Sequence, residues 1–184
     1  MNKIEFFREG LKNLKTVGTV APSSKFLCQG MLRSVDFSKA NTIVELGPGD
    51  GVITEYILRA MRPQTKLFAF EVNEAFCELL ETKITDPRFH LVQDSAAYIE
   101  KYLIENQQEK ADYIISALPF SMLPEALMME VLQESKKVLR PGGLFIQYHY
   151  SLFLKKVYQE VFKNVEIDFV ALNIPPAFVF KCSY

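Results

Sequence analysis

Three glycines at alternate positions, Gly47, Gly49 and Gly51, directly follow an apolar run that is typical of a buried strand. Glycine lets the backbone approach a ligand closely, and open α/β sheets bind their ligands at the carboxyl ends of the strands. A dinucleotide fingerprint would place its third glycine at position 52, which is Val52 in this chain. The segment therefore predicts a nucleotide-like ligand, with a glycine spacing that departs from the NAD pattern.

Acidic side chains end the next two predicted strands. Glu71 closes the second strand, where a carboxylate can accept hydrogen bonds from both hydroxyls of a ribose. Asp94 and Ser95 close the third strand, where a side chain can reach the amino group of adenine. The glycine segment alone could be a tight turn that needs small residues. Acids at successive strand ends favour a ligand site instead.

A second segment suited to chemistry, Ser116-Ala117-Leu118-Pro119-Phe120, follows the fourth predicted strand. In a one-for-one alternation of strands and helices the fourth strand lies beside the first, so this segment is expected to emerge next to the ligand. The Ser116 hydroxyl and the nearby carbonyls can accept hydrogen bonds from an incoming amine, while Pro119 fixes the turn. The alternative is a simple entry into the next helix.

The elements that must position these residues alternate regularly after residue 40. Five β-then-α units in a row predict a parallel sheet with helices on both faces. The predicted strands of these units are 42–46, 66–71, 89–93, 113–117 and 144–148. Two further runs, 165–172 and 177–182, have only four residues between them, too few for a parallel crossover. They are therefore predicted to form a terminal antiparallel pair in a mostly parallel, seven-stranded α/β sheet of the Rossmann-like type.

The composition narrows the classes of function. The chain has 184 residues, 49% of them hydrophobic, and a formal net charge of −1, which predicts one domain and argues against a polyanion-binding surface over the whole protein. Residues 1–40 are the basic part, with seven Lys and Arg against three Asp and Glu. The three cysteines are widely separated, which indicates neither a disulfide framework nor a zinc site and fits a reduced cytosolic setting. No metal is expected.

Residues 4–17, ahead of the sheet, have the pattern of an amphipathic helix. Its apolar residues share one face: Ile4, Phe7, Leu11 and Leu14. Arg8, Lys12 and Lys15 form a basic stripe beside that face. The pattern alone is typical of a helix packed on its own domain. It also suits the headgroup boundary of an anionic bilayer, with Phe6 and Phe7 as anchors and about 1 kcal/mol from each basic residue.

A second helix is predicted after the break at residues 19–24. Ser23 or Ser24 is placed to cap it, and its apolar positions are Phe26, Leu27, Met31 and Leu32. No run approaches the roughly 18 apolar residues of a membrane span, and the amino terminus lacks the apolar block of a signal peptide, so membrane contact is expected to be peripheral. Residues 1–39 are accordingly predicted to form an amphipathic segment that contacts membrane or substrate and covers the active site. Residues 40–184 form the predicted ligand-binding domain.

The chain resembles the class I S-adenosylmethionine-dependent methyltransferases through residues 45–51, Glu71 and Asp94, and the resemblance covers residues 40–184. It implies that the three glycines line the methionine and ribose, that Glu71 holds the ribose and that Asp94 faces adenine. It also implies that Glu45 steadies the loop or the cofactor's amino group. The remaining residues that it assigns to the cofactor S-adenosylmethionine are Pro48, Val72, Ser95 and Ser116.

Within that class the chain is more similar to the bacterial phospholipid N-methyltransferases, which act on phosphatidylethanolamine, and to their ornithine-lipid relatives. The matching segments span nearly the whole chain: 19–24, 44–51, 116–119, 139–143, 145–148 and 173–177. The resemblance implies a lipid substrate, an anionic membrane surface as partner and a cytoplasmic location at the inner face of the membrane. It leaves open the choice of lipid, the number of methyl groups added and the oligomeric state.

Two alternatives remain. The ribosomal RNA adenine dimethylases have Asn-(Leu or Pro)-Pro-(Tyr or Phe) where this chain has Leu118-Pro119-Phe120 preceded by Ser116-Ala117. The missing asparagine and the acidic body of the chain disfavour RNA, so nucleic acid is the weaker choice of partner. The other alternative is a non-catalytic module that binds the cofactor or associates with a membrane.

Transfer to a lipid amine requires that the protonated headgroup first lose a proton. His149, at the end of the fifth strand, is a candidate base, and Tyr148 and Tyr150 could surround the headgroup cation with their rings. The predicted catalytic residues are Ser116, Leu118, Pro119, Tyr148 and His149. The residues predicted to contact membrane or substrate are Phe6, Phe7, Arg8, Lys12, Lys15, Pro22, Ser23 and Tyr150.

Overall fold

The alternation of strands and helices is present in the computed structural model, which describes residues 23–184. The strands are β1 (Thr42–Leu46), β2 (Lys66–Phe70), β3 (Phe89–Val92), β4 (Ala111–Ser116), β5 (Leu139–His149), β6 (Asn164–Val170) and β7 (Ala177–Ser183). The α-helices are α1 (Lys25–Leu32), α2 (Val52–Ala60), α3 (Glu74–Lys83), α4 (Ile99–Glu105), α5 (Glu125–Val138) and α6 (Lys155–Val161). Single 3₁₀ turns lie at Ala96–Tyr98 and Phe120–Met122.

All seven strands form one sheet in the order β3-β2-β1-β4-β5-β7-β6. The first five are parallel, and β7 lies antiparallel between β5 and β6, which confirms the predicted fold and its terminal antiparallel pair. Every residue of β1 is buried because helices cover both faces of the sheet. The order reverses between β1 and β4, so the loops that leave these two strands meet at the switch point, where such sheets bind ligands.

The core has one apolar cluster on each face of the sheet. One cluster packs α4, α5 and α6 against the sheet. The other includes α1, whose Leu27, Cys28 and Met31 are buried beside Ile43 of β1 and Ile57 of α2. The helix begins as predicted at Ser24, whose hydroxyl accepts a hydrogen bond from the Leu27 N–H at 3.2 Å. Within the described residues, α1 is therefore packed into the same core as residues 40–184.

Helix α1 also lies against the hairpin formed by β6 and β7. Gly30 faces Val170 at the end of β6, and a Cβ atom built on Gly30 would lie 2.6 Å from Val170 Cγ2. Glycine is needed at this position for the close approach. The Ser24 hydroxyl donates to Asn173 Oδ1, 2.6 Å away, in the turn of the hairpin. The start of α1 is thus fixed to the hairpin turn.

Three predicted elements begin at least three residues away from the observed start. β5 begins at Leu139 because residues 139–143 continue to pair with β4 across a bulge, where Asp112 and Arg140 form an ion pair. The helix predicted over 152–162 begins only at Lys155, which leaves residues 150–154 as a connection in which all but the buried Leu154 are exposed. The helix predicted over 96–104 starts with a 3₁₀ turn. No helix in residues 23–184 is long and apolar enough to span a membrane.

Candidate active site at the switch point

The loop between β1 and α2 contains the three glycines at left-handed backbone conformations. Gly47, Gly49 and Gly51 have φ angles of +69°, +55° and +81°, which L side chains rarely adopt. The Gly47 N–H donates to the Phe70 carbonyl at 2.9 Å, and the Gly51 N–H donates to the Pro48 carbonyl at 2.9 Å. The loop is therefore bonded to β2 at one end and closed by its own turn at the other. Pro48 is buried and takes part through its carbonyl.

The three glycines are required for different reasons. A Cβ atom on Gly47 would lie 2.8 Å from Leu118 Cδ2, and one on Gly51 would lie 2.8 Å from Leu80 Cδ2. A Cβ atom on Gly49 would meet nothing within 4 Å. Gly47 and Gly51 thus permit close packing within the protein, whereas Gly49 borders open space at the carboxyl edge of the sheet. A ligand can approach the backbone there.

Glu71 ties the glycine loop to the end of β2. Its Oε2 accepts a hydrogen bond from the Gly49 N–H at 3.2 Å, and its Oε1 accepts from the N–H groups of Val72 and Asn73 at 2.9 and 2.8 Å. Burial raises the pKa of Glu71, while these three bonds oppose the rise. A carboxylate can accept about four hydrogen bonds, so capacity remains for a ligand hydroxyl.

Glu45 is a fully buried acid in the middle of the sheet. It lies in β1 between Ala69 of β2 and Ile115 of β4, and only 1% of its surface is exposed. Neither of its carboxylate oxygens has a partner with good hydrogen-bond geometry among residues 23–184, and the nearby Thr54 hydroxyl is also without one. Burial raises the pKa of Glu45 to about 8; the neighbouring Glu71 and Asp50 carboxylates add to the rise and the Thr54 hydroxyl opposes it. A buried acceptor without a donor is costly, which points to a cationic or hydrogen-bonding ligand for Glu45.

Asp94 lies at the end of β3, as predicted, and is held from both sides. Its Oδ1 accepts from the Ser95 N–H at 2.7 Å, and its Oδ2 accepts from the Tyr102 hydroxyl at 2.8 Å. Burial, followed by this bond, raises the pKa of Tyr102 to about 12. The side chains of Ser95 and Val72 are buried: the Ser95 hydroxyl accepts from the Ala97 N–H, and Val72 belongs to the core. Their side chains support the turns that present Asp94 and Glu71.

The segment after β4 packs against the glycine loop. The Ala117 N–H donates to the Leu46 carbonyl at 2.8 Å, and the Leu118 side chain covers Gly47. Ser116 is fully buried, and its hydroxyl accepts from the Leu118 N–H at 3.3 Å. The structure thus does not expose the Ser116 hydroxyl, which was predicted to accept a hydrogen bond from an incoming amine. Pro119, half-buried, is followed by a 3₁₀ turn in which its carbonyl accepts from the Met122 N–H.

Gln147 is a site residue that lies in the matching segment 145–148 but was assigned no role in the sequence analysis. It lies in β5 beside Ser116 and is 1% exposed. Its Nε2 donates to the carbonyls of Leu118 and Tyr148 at 3.1 and 2.7 Å, and its Oε1 has no partner within residues 23–184. The Leu118 carbonyl also accepts from the Phe120 N–H, so it is not available to a substrate. In the sequence, a role for Gln147 was indicated only by its being a polar residue within a predicted apolar strand.

Replacing this amide tests whether it positions the segment after β4. In Gln147→Leu the Leu118 and Tyr148 carbonyls lose the side-chain amide as a donor, so we expect a loss of about 1–3 kcal/mol in the free energy of unfolding. We also expect turnover to fall more than cofactor affinity, measured by steady-state kinetics and calorimetry. Gln133→Leu, on the exposed side of α5, is the matched control. Normal turnover at saturating cofactor with lowered stability would limit Gln147 to a structural role.

The residues at the end of β5 face opposite sides of the sheet. Tyr148 and Tyr150 lie on one side, with their ring centroids 5.7 Å apart and edge to face. Burial raises the pKa of Tyr148 to about 12, so it keeps its proton. His149 lies on the other side, buried against Phe180, with its Nε2 2.9 Å from the Tyr158 hydroxyl. Burial lowers the pKa of His149 to about 4. The structure therefore does not bring His149 together with the two tyrosines.

The predicted membrane contacts fall mostly outside the structure. Residues 1–22 are not described, and they include Phe6, Phe7, Arg8, Lys12, Lys15 and Pro22. Ser23 is half-buried, and its carbonyl accepts a weak hydrogen bond from the Cys28 thiol. Tyr150 is 54% exposed at the carboxyl end of β5. Within the described residues, no group of three or more His, Cys, Asp and Glu could hold a metal ion.

Comparisons with known proteins agree with this geometry. The profile of a family described as "Methyltransferase domain" matches residues 43–143. Ornithine lipid N-methyltransferase of Singulisphaera acidiphila is 28% identical over 180 residues, which are 97% of this chain and 92% of that protein. Ribosomal RNA small subunit methyltransferase A of Hydrogenobaculum sp. is 27% identical over 124 residues, 67% of this chain but 46% of that protein.

Solved structures share the fold at low sequence identity. The N-methyltransferase NodS from Bradyrhizobium japonicum is 14% identical, with a TM-score of 0.70 over 94% of this chain and 97% of that one. Precorrin-6y C5,15-methyltransferase from Geobacter metallireducens is also 14% identical, with a TM-score of 0.66 over 88% of this chain and 92% of that one.

Proposed function

Since this chain belongs to the methyltransferase domain family, we propose that it transfers methyl groups to the amine of a lipid headgroup at a membrane surface. That it is an S-adenosylmethionine-dependent methyltransferase follows from the family and the fold. The lipid acceptor, and a peripheral position at the cytoplasmic face of the membrane, are the proposed part.

The described residues fit this cofactor. The unpartnered Glu45 carboxylate is suited to an ammonium group, and the open space at Gly49 admits a ligand against the backbone. Glu71 has capacity for ribose hydroxyls, and Asp94 lies at the end of β3, where an adenine amino group would be met. When bound, S-adenosylmethionine supplies an electrophilic methyl group on a sulfonium.

Gly49 offers a direct test of the fit. We expect Gly49→Ala to bind S-adenosylhomocysteine at least about tenfold more weakly, roughly 1.4 kcal/mol, because the new methyl group would occupy the open space. Gly142→Ala is the matched control: Gly142 has φ +80°, and a Cβ atom there also meets nothing within 4 Å. Both variants share the backbone cost of about 1–2 kcal/mol for alanine in this conformation. Equal affinities by calorimetry would show that Gly49 does not border the cofactor.

One observation carries the lipid proposal: the match to ornithine lipid N-methyltransferase extends over 92% of that protein's length. The relative therefore has almost no sequence outside the match that could select its acceptor. The chain spans about half the length of the ribosomal RNA methyltransferase that it matches. That partial likeness supports a shared methyltransferase domain more than a shared substrate. RNA is therefore the second candidate acceptor.

The proton of the acceptor ammonium must leave before the nitrogen can attack, because the protonated form has no lone pair. Neither histidine of the chain is placed to take it: His149 is bonded to Tyr158, and His90 stacks on Phe68 with ring centroids 4.9 Å apart. Tyr148 holds its own proton at neutral pH. None of these three side chains is placed to take the proton, so we infer that it passes to water while the protein contributes alignment and exclusion of bulk solvent around the reacting atoms.

The assay that tests the proposal offers both acceptors to one preparation. The enzyme is incubated with radiolabelled S-adenosylmethionine and either vesicles of phosphatidylethanolamine or ornithine lipid, or small-subunit ribosomal RNA. We expect label in the lipid fraction alone. Labelled RNA with unlabelled lipid would overturn the lipid acceptor and leave the methyltransferase intact. Cofactor binding without any turnover would favour a non-catalytic module.

A further inference from the structure

Five large apolar or aromatic side chains project from two neighbouring connections. The connection from β5 to α6 exposes Tyr150, Leu152 and Phe153, at 54%, 45% and 84% of their surfaces. The turn between β6 and β7 exposes Leu172 and Ile174, at 67% and 90%. We refer to these five residues as the apolar rim. Isolated exposed apolar residues are common, but a cluster of this kind on a soluble domain indicates an interaction surface.

The two connections lie at the same edge of the sheet as the candidate active site. His149, the last residue of β5, pairs with Phe178, and Val170, the last residue of β6, pairs with Ala177. The connection after β5 therefore leaves the sheet beside the turn that precedes β7. β5 is parallel to β4 and β1, so this is the carboxyl edge, where the glycine loop also lies. The apolar rim therefore lies at the same edge of the sheet as the site.

The turn between β6 and β7 is held so that its apolar side chains face outward. Asn173 is 4% exposed; its Oδ1 accepts from the Ser24 hydroxyl, and its Nδ2 donates to the Pro175 carbonyl at 2.7 Å. Leu172 and Ile174, on either side of this buried asparagine, cannot turn inward with it. Their exposure is thus fixed by bonds on the neighbouring residue.

The charge around the apolar rim favours an anionic partner. Residues 150–156 and 171–177 contain no acidic residue, and the first of these segments ends in Lys155 and Lys156, both exposed. The acids of β6 nearest to the turn, Glu166 and Asp168, are paired with Lys181. An apolar tip flanked by lysines suits the boundary between the headgroups and acyl chains of an anionic bilayer.

We propose that the apolar rim inserts into the surface of an anionic lipid bilayer and so holds the mouth of the active site against its substrate. The evidence for this contact is the exposed apolar side chains and the neighbouring lysines. Its functional purpose rests on the proposed lipid acceptor. It adds an element of the folded domain to any contact made by residues 1–22. Ser24, at the start of α1, is bonded to the turn that carries Leu172 and Ile174.

Sedimentation with vesicles tests the proposal in the full-length chain. We compare wild type, Leu172→Ser/Ile174→Ser and Phe153→Ser on vesicles of phosphatidylcholine with and without phosphatidylglycerol. The expected result is at least a tenfold loss of binding to anionic vesicles for the double variant, from the loss of buried apolar surface. Ile104→Ser is the matched control, because Ile104 is 62% exposed near the end of α4, at the opposite edge of the sheet.

A second readout separates this proposal from the proposed function. Turnover is measured on the same amine lipid in vesicles and dispersed in detergent micelles. The proposal predicts that rim variants lose activity on vesicles and retain it on micelles. If the enzyme methylates lipid but the rim variants bind vesicles as well as wild type, the proposed membrane contact of the rim is wrong and the proposed lipid acceptor is retained. Vesicle binding that depends on the rim, without methylation of the lipid, would support the rim and overturn the lipid acceptor.

Two other partners could cover the apolar rim instead of a bilayer, and each predicts a different experimental result. If a second copy of the chain covers it, light scattering will find a wild-type dimer that the double variant dissociates. If another part of the same chain covers it, the double variant will melt at a lower temperature than wild type while its vesicle binding is unchanged. Either result would overturn the proposal.

Discussion

Glu71→Ala is expected to weaken binding of S-adenosylhomocysteine by about 100-fold or more. Two contributions combine. The variant would lose the charge-assisted hydrogen bonds that we propose between Glu71 and the ribose hydroxyls, each typically about 1.5–3 kcal/mol. It also releases the Gly49 N–H, which the Glu71 carboxylate holds at 3.2 Å, so the glycine loop is no longer tied to β2. A loss of about 2.7 kcal/mol corresponds to the expected 100-fold change.

Calorimetry with the demethylated cofactor product measures this effect. Glu78→Ala, an exposed acid on α3, is the matched control and should bind normally. Glu71→Gln separates the two contributions, because its amide oxygen can still accept a backbone bond while the charge is lost. If Glu71→Ala binds normally, the carboxylate only stabilises its own turn, and the assignment of the cofactor to this edge of the sheet fails.

The second large effect is a dependence of stability on pH caused by Glu45. Its pKa is about 8 in the folded protein against 4.5 for the ordinary side chain. The folded chain therefore keeps a proton that the unfolded chain releases between these values. Stability is fully present below about pH 4.5 and is lost as the pH rises through about 8. The loss is on the order of 3–5 kcal/mol for the cofactor-free protein.

Thermal or urea unfolding between pH 5 and pH 9 measures the effect. Glu45→Gln should remove most of this fall in stability because the amide does not titrate, whereas Glu125→Gln, at an exposed position of α5, should leave it unchanged. Identical pH profiles for wild type and Glu45→Gln would contradict the assignment.

Glu45 also links protonation to cofactor binding. An ammonium group near Glu45 favours the ionised carboxylate, so binding near neutral pH should release a proton. Calorimetry of S-adenosylhomocysteine in two buffers with different ionisation enthalpies detects that release. Glu45→Gln should abolish the dependence on the buffer and bind the ligand more weakly. A buffer-independent heat in wild type would show that Glu45 does not change its protonation on binding.

These carboxylates explain why the site forms at the switch point. Glu45 is positioned inside the sheet by β1, and Glu71 connects the end of β2 to the glycine loop. The segment after β4 closes the site from the other side, with Leu118 against Gly47. Gln147 then fixes that segment to β5. Four neighbouring strands thus contribute to one site, although their residues are far apart in the chain.

The amino-acid sequence alone determined the sheet, its terminal antiparallel pair and the strand ends that carry Glu71 and Asp94. These follow from local properties: apolar runs of strand length, helical spacing between them and glycines where the backbone must turn. The sequence also indicated the neighbouring positions of β1 and β4, because a regular alternation of strands and helices permits few topologies.

Only the tertiary structure decided which polar side chains face the site. His149 and Tyr148 face opposite sides of β5 because side chains alternate along a strand, but the fold decided what each side meets: His149 packs against Phe180 of β7 and bonds to Tyr158. Ser116 is buried by neighbouring strands, and Gln147 acquires its role from a carbonyl 29 residues earlier in the chain. Burial, hydrogen-bond partners and pKa values depend on residues that are distant in sequence, and local patterns contain no information about them.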